Sequence, residues 1–165
     1  MQAGQSRLQQ LYQFSPELLE LGPPILDNRL EDFEKTIGFM LPDDFKYLLK
    51  AHNGFSLNGI EVYGLDAALR GSALDQIYQI EHYEVANAMP DALLPFCADG
   101  AGNHYCLDLS RYHNGRSPVV FWQHDCRYES RDDLETCQAS FCEWVDEVFI
   151  GWTLEEYNYD GSPKG

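Results

Sequence analysis

The sequence predicts an α+β fold, with helices at both ends around a run of short strands. Three observations carry that reading. Apolar residues recur at helical spacing in the first third of the chain and again near its end. Two apolar runs, Leu94 to Ala98 and His104 to Leu109, flank Asp99-Gly100-Ala101-Gly102-Asn103, a β-hairpin signal. Strand signals cluster in the middle of the chain and do not alternate with helices, so parallel βαβ units are not expected.

Taken in order, Leu8, Leu11 and Tyr12 follow the i, i+3, i+4 rule of an amphipathic helix. Ser15-Pro16-Glu17 supplies an N-cap, a proline at the first helical position and an acid in the first turn, and Gly22-Pro23-Pro24 ends that second short helix. Asn28 with Glu31 makes a capping-box variant for a helix that carries Leu30, Phe33 and Ile37 and stops at Gly38. Pro42 fits the first position of the next helix, with Asp43 and Asp44 at its positive end. Phe45, Leu48, Leu49 and His52 form its core stripe, and Asn53-Gly54 closes it.

After Gly54 the pattern turns to strands. Ile60, Val62 and Gly64 alternate with Glu61, Tyr63 and Leu65. Residues 67–90 read as helix or loop. The hairpin follows, and then Val119 to Gln123, a β-branched and aromatic strand. A last helix opens with a capping box of Ser140 and Glu143 and carries Val145, Val148, Phe149 and Trp152 in its stripe, widened by Phe141 and Trp144. The polar tail after it, from Asn158, is expected to fray. Phe45, Leu48, Leu49, Phe96, Leu107, Phe121, Val145 and Phe149 are expected to share one core.

The chain has 165 residues, the size of one domain. Its apolar runs fall far short of the roughly 18 residues of a membrane span. Its first residues lack the pattern of a signal peptide. Five cysteines, an odd number with no C-x-x-C, read as reduced thiols in a core. A cytoplasmic protein is the expectation. Eleven Lys and Arg against twenty-seven Asp and Glu give a formal charge of −16. That repels nucleic acid and anionic membranes and attracts basic proteins. The same acid would also serve solubility alone.

Chemistry-bearing patterns are few. The glycine-rich turn could cradle phosphate, but it lacks the spacing and lysine of a P-loop, the Rossmann pattern and a calcium loop's closing glutamate. It reads instead as a turn in which Asp99 and Asn103 bond the backbone and the glycines take positive φ. His104-Tyr105-Cys106 and His124-Asp125-Cys126 are both His-x-Cys, so His104, Cys106, His124 and Cys126 would form a zinc set if their strands paired in register. The usual zinc spacings are absent, and Cys106 as core with His124 at a sheet edge is the simpler reading. No nucleophile signature supports a cysteine or serine enzyme. Twenty-seven acids offer too many carboxylate pairs to single one out. No catalytic residue, metal or cofactor is therefore expected. Tyr63, Tyr105, Tyr128, Tyr157 and Tyr159 are candidates either for an interface or for the edge of the core.

Three blocks together resemble the SUKH superfamily, the Smi/Knr-type group of fungal cell-wall regulators and bacterial immunity proteins. The first runs from Leu30-Glu31-Asp32-Phe33-Glu34 through Ile37-Gly38-Phe39 and Leu41-Pro42-Asp43-Asp44-Phe45-Lys46 to Asn53-Gly54. The second is Leu94 to Leu109, with its Asp-Gly-x-Gly-Asn turn; the third is Pro118 to Asp125. Ser140-Phe141 of the last helix also fits.

The resemblance covers about residues 28–152. It leaves 1–27 as an added helical piece and 153–165 as a tail. It implies a central, mostly antiparallel sheet packed with N- and C-terminal helices, and no catalytic residues. Leu41, Pro42, Phe45, Asn53, Gly54, Gly100, Gly102 and Asn103 read as motif positions that maintain the fold. The resemblance implies a protein that binds and neutralises a partner toxin. An acidic inhibitor suits the basic cleft of a nuclease toxin. A regulatory scaffold is the alternative, and a metal-dependent or cysteine enzyme the third. The rim near Asp99, Asp108 and Asp125, with Tyr105 or His124, is the expected binding face.

Overall fold

The computed structural model describes residues 2–67 and 69–165. Helix α1 (Gln2–Leu11) buries Leu8 and Leu11, and the Arg7 guanidinium pairs with the Asp146 carboxylate. Ser15 does not open a second helix. The N–H groups of Leu18 and Leu19 both donate to its C=O, giving a single turn, and the chain then extends as β1 (Leu19–Leu21). Pairing of β1 with a neighbouring strand, Leu19 opposite Leu57, outweighs the local helix signal. Of residues 1–27, expected to be a helical piece, those described before α2 form α1 and β1.

Helix α2 (Asp27–Ile37) begins one residue before Asn28, which caps nothing; Leu26 precedes it without a side-chain cap. The helix buries Leu30 and Phe33 and ends at left-handed Gly38, as expected. The buried Glu34 carboxylate accepts the Leu41 N–H at 2.7 Å, with the Lys46 ammonium 3.4 Å away, and so fixes the entry to the next helix. Helix α3 (Asp43–Ala51) has Pro42 just before its first residue, one position outside the expected one. Phe45, Leu48 and Leu49 are buried. Asn53-Gly54 is not its cap, since the chain leaves α3 through an extended His52. The Asn53 amide instead bridges to Leu65, donating to its C=O and accepting its N–H.

Strands β2 (Phe55–Leu57) and β3 (Ile60–Val62) form a hairpin closed by Asn58-Gly59, both at positive φ (51° and 82°). This is the Asn-Gly turn that two-residue hairpins favour. Sheet order is β1-β2-β3, antiparallel throughout. Helix α4 (Leu74–Gln79) runs on into a π turn (Ile80–Glu84). Four further strands, β4 (Leu93–Ala98), β5 (His104–Asp108), β6 (Val119–Trp122) and β7 (Glu135–Gln138), form an antiparallel meander. The expected central sheet is thus two sheets. The Tyr63 N–H donates to the Phe96 C=O at 3.0 Å where they meet.

One face of the larger sheet joins the main core, where Phe45, Leu48, Leu49, Phe96, Leu107, Val145 and Phe149 cluster. Phe121, expected there too, is only half-buried. The other face carries a smaller core of Met89, Leu93, Cys106, Val120, Trp122 and Leu134.

The chain closes with α5 (Phe141–Trp144), a π turn (Val145–Ile150) and α6 (Gly151–Glu156). The Ser140 hydroxyl accepts the Glu143 N–H, but the Glu143 carboxylate reaches back to Ala139 rather than Ser140. The π turn adds a residue to the helical repeat. It keeps Val145, Val148, Phe149 and Thr153 inward and leaves Trp152 48% exposed, outside the stripe expected for it. The tail does not fray. Tyr159 packs on Phe14, ring centres 4.6 Å apart, and its C=O accepts the Ser15 N–H at 2.7 Å.

Candidate functional site

The seam between the sheets builds the site. Past the Tyr63–Phe96 bond, no other backbone hydrogen bond joins β3 to β4 among the described residues. A bulge between Pro95 and Cys97 shifts the β4 register at that place. A groove of about 700 Å³ lies there, lined by Gly59 to Glu61 of the β3 hairpin, by Cys97 and Ala98 of β4 and by Asp99 and Gly100 of the turn after it. Tyr105 and Phe121, neighbours across β5 and β6 with ring centres 5.1 Å apart, line it as well. Val148 and Trp152 reach it from the last helix.

Burial dominates the electrostatics of these groups. It pushes the Tyr105 phenol and the Cys97 thiol both up to about 12, and the Tyr63 phenol higher still. All three are uncharged at neutral pH. Burial also raises the Glu61 carboxyl, opposed by the main chain of Leu69 and Arg70 and by the Arg70 guanidinium. One oxygen, Glu61 Oε2, is buried and has no hydrogen-bond partner among the described residues.

At the Asp99 end, the turn is self-contained. Asp99 accepts the N–H groups of Ala101 and Asn103 and the Asn103 amide, at 2.8, 3.1 and 2.9 Å. Slight desolvation works against its charge, yet these bonds hold the carboxyl below its ordinary value. Gly102 stands at φ +92°, and a Cβ there would meet His124 Nδ1 at 2.9 Å. The His124 N–H in turn donates to Asn103 Oδ1 at 3.1 Å, which locks the turn to the end of β6. Gly102→Ala should therefore cost about 1–2 kcal/mol from backbone strain alone, measurable as a lowered denaturation midpoint.

The residues expected to form one face divide between two places. Asp99, His124 and Asp125 are exposed at the turn, and Tyr105 is half-buried in the groove beside it. Asp108 belongs elsewhere. It sits at the far end of β5, 2% exposed, accepting from the Ser110 N–H and hydroxyl and from Arg111 Nε, so it is a structural anchor. Tyr159 is spent on the tail, and Tyr128 packs on Trp122 with ring centres 5.0 Å apart.

The two His-x-Cys pairs do not converge. Cys106 Sγ lies 3.8 Å from Met89 Sδ in the smaller core, and burial pushes its thiol far up. Cys126 Sγ lies 3.5 Å from Gln123 Oε1. Among the described residues, no three His, Cys, Asp or Glu side chains are grouped to hold a metal. All five cysteines are free; Cys97, Cys106 and Cys142 are buried, Cys137 is partly buried against the main core, and Cys126 is partly exposed outside it.

His104 is buried, with Nδ1 3.6 Å from Glu81 Oε1 and no hydrogen-bond partner. Burial lowers His104, with Asp99 opposing and His124 assisting, while burial raises Glu81. Both shifts favour neutral partners over an ion pair. The unfolded chain, with His104 near its ordinary value of about 6.5, then binds the extra proton first. The His104 contribution to stability should fall as pH drops below that value, until the folded state also protonates, while the raised Glu81 carboxyl contributes with the opposite sign by taking up its proton first in the folded state. His104→Gln should flatten that part of the wild-type curve in urea titrations between pH 7 and 5.

Glu61, Phe121 and Trp152 are groove residues that the sequence reading placed elsewhere. Asn58-Gly59 was the available signal for the hairpin that positions Glu61. Nothing in the residue pattern marks the π turn that frees Trp152.

A family model described as SMI1 / KNR4 family (SUKH-1) matches residues 24–147. No curated protein matches the chain. Among solved structures, the crystal structure of a protein from Pseudomonas syringae pv. tomato is similar, with a TM-score of 0.59 and 18% identity over 87% of this chain and 96% of that one. At that identity the likeness speaks for the fold.

Proposed function

The chain belongs to the SMI1/KNR4 family (SUKH-1), and on that premise we propose that it is a protein-binding module and not an enzyme. Its cognate partner would be a basic toxin domain, a nuclease in the fullest form of this reading. The observation that carries the proposal is the aromatic groove at the seam, which opens on a chain of formal charge −16. Exposed Trp152 beside half-buried Tyr105 and Phe121 offers the large rigid rings that interfaces favour. The acid supplies a field that attracts cations and repels nucleic acid. The thiol facing the groove, Cys97, is held protonated and so is a poor nucleophile.

Capture of partners from the native cell by the tagged chain, with identification by mass spectrometry, tests the proposal. The captured protein is expected to be basic, and co-expression of this chain should restore growth to cells that the partner alone arrests. A cell-wall or signalling protein, with no toxicity to relieve, would instead favour the regulatory scaffold. Among the described residues, no helix is long and apolar enough to cross a membrane.

A further inference from the structure

We infer that the groove is a strand-receiving site, in which an extended, Lys- or Arg-bearing segment of the partner pairs with the free edge of β3. This rests on the protein-binding reading above and adds how the partner is held.

The backbone provides the first argument. Leu57 and Ile60 flank the two-residue Asn58-Gly59 turn, so they form a hydrogen-bonded pair of the hairpin. Such pairs alternate along an antiparallel ladder. Ser56 and Glu61 are then a non-bonded pair, and the Glu61 N–H and C=O point away from β2 toward the seam. Among the described residues, neither group has a partner there. Two residues on, the Tyr63 N–H does have one, the Phe96 C=O of β4. Among the described residues the seam is thus bonded at Tyr63 and unbonded at Glu61, and the register of β4 shifts at the bulge after Pro95. An open edge with unpaired backbone groups is a template for another strand.

Side chains give the occupant its chemistry. Alternate residues of an entering strand point to opposite faces. Those turned inward meet Tyr105 and Phe121 and so should be apolar or aromatic. Those turned to the rim meet the half-buried Glu61 side chain, then Asp99 and the exposed face of Trp152. Lys or Arg satisfies all three, by charge and by cation–π attraction. Arg70 is the one cation among the described lining residues, and Glu20 lies 3.9 Å from it. An acidic strand would face the field of the whole chain.

The test is a titration of the 15N-labelled full chain with a blocked octapeptide that alternates lysine and valine, with phenylalanine for one central valine. The Glu61 amide and the Trp152 indole resonances should shift, and exchange of the Glu61 amide should slow by about tenfold or more at saturation. N-methylation of the peptide at alternate residues, which removes its edge-facing donors, should weaken binding by about tenfold. Glu61→Lys should weaken it as well, and a glutamate-for-lysine peptide should not bind. Absence of binding, shifts confined to other surfaces, or affinity indifferent to N-methylation would overturn the strand site. A captured partner that binds Glu61→Lys and Trp152→Ala proteins at full strength would also overturn it, yet leave the binding function standing. A tagged chain that captures no partner would strike at the function itself.

Discussion

Phe96→Ala should remove about 3–5 kcal/mol of folding free energy, the largest stability loss expected of any single substitution considered for this chain. Phe96 is fully buried on β4, with ring centres 4.8 Å from Trp144, 5.3 Å from Phe141 and 6.3 Å from Phe45. It therefore contacts the last helix and α3 at once, and its C=O also accepts the single backbone bond at the seam. Truncation removes all three edge-to-face contacts and leaves a cavity among the rings that made them. Whole-domain stabilities run to about 5–15 kcal/mol, so the variant should show a large fall in urea midpoint with an unchanged slope. A loss below about 1 kcal/mol would mean that the core is not organised around this ring.

The binding prediction is of similar size and leaves stability alone. Trp152→Ala should weaken partner binding by about 2 kcal/mol or more, roughly thirtyfold. Its side chain is half-exposed in the free protein, so the melting temperature should barely move. The contrast with Phe96 separates a residue that builds the fold from one that meets a partner. Surface plasmon resonance for affinity and calorimetry for stability, on the same two variants, read both.

Much of the fold was legible because its signals are local. Phe45, Leu48 and Leu49 of the α3 stripe, the Gly38 stop and the Asp99–Asn103 turn each depend on neighbours within a few positions and appear as expected, whereas His52, expected in that stripe, lies just past the helix in extended backbone. Expectations that failed depended on distant partners or on backbone irregularity. Ser15-Pro16-Glu17 has sound helix-start chemistry, but β2 offers the following residues a ladder, and the strand wins. Asn53-Gly54 has the residues of a cap, yet Asn53 is needed by Leu65 twelve positions away. Asp108 looked like surface acid until Ser110 and Arg111 folded over it.

The site was half legible for the same reason. The hairpin signal placed Asp99 and Tyr105 near one another, and His124 joined them through Asn103. The groove itself arises where two sheets part, which no residue pattern encodes. Trp152 belongs to it only because the π turn displaces the helical repeat.

Recognition of a basic protein by an acidic chain is tested most directly by association kinetics with the captured partner. Opposite fields speed encounter at low salt and are screened once the Debye length falls to about 8 Å at physiological ionic strength. The association rate should fall by about tenfold or more from low to high salt, while dissociation changes little. Charge reversal at Glu61 and Asp125 together should reproduce part of that fall at low salt, with any loss of melting temperature confined to the partly buried Glu61. An association rate indifferent both to salt and to those reversals would contradict the account, and would leave the aromatic groove as the sole basis for recognition.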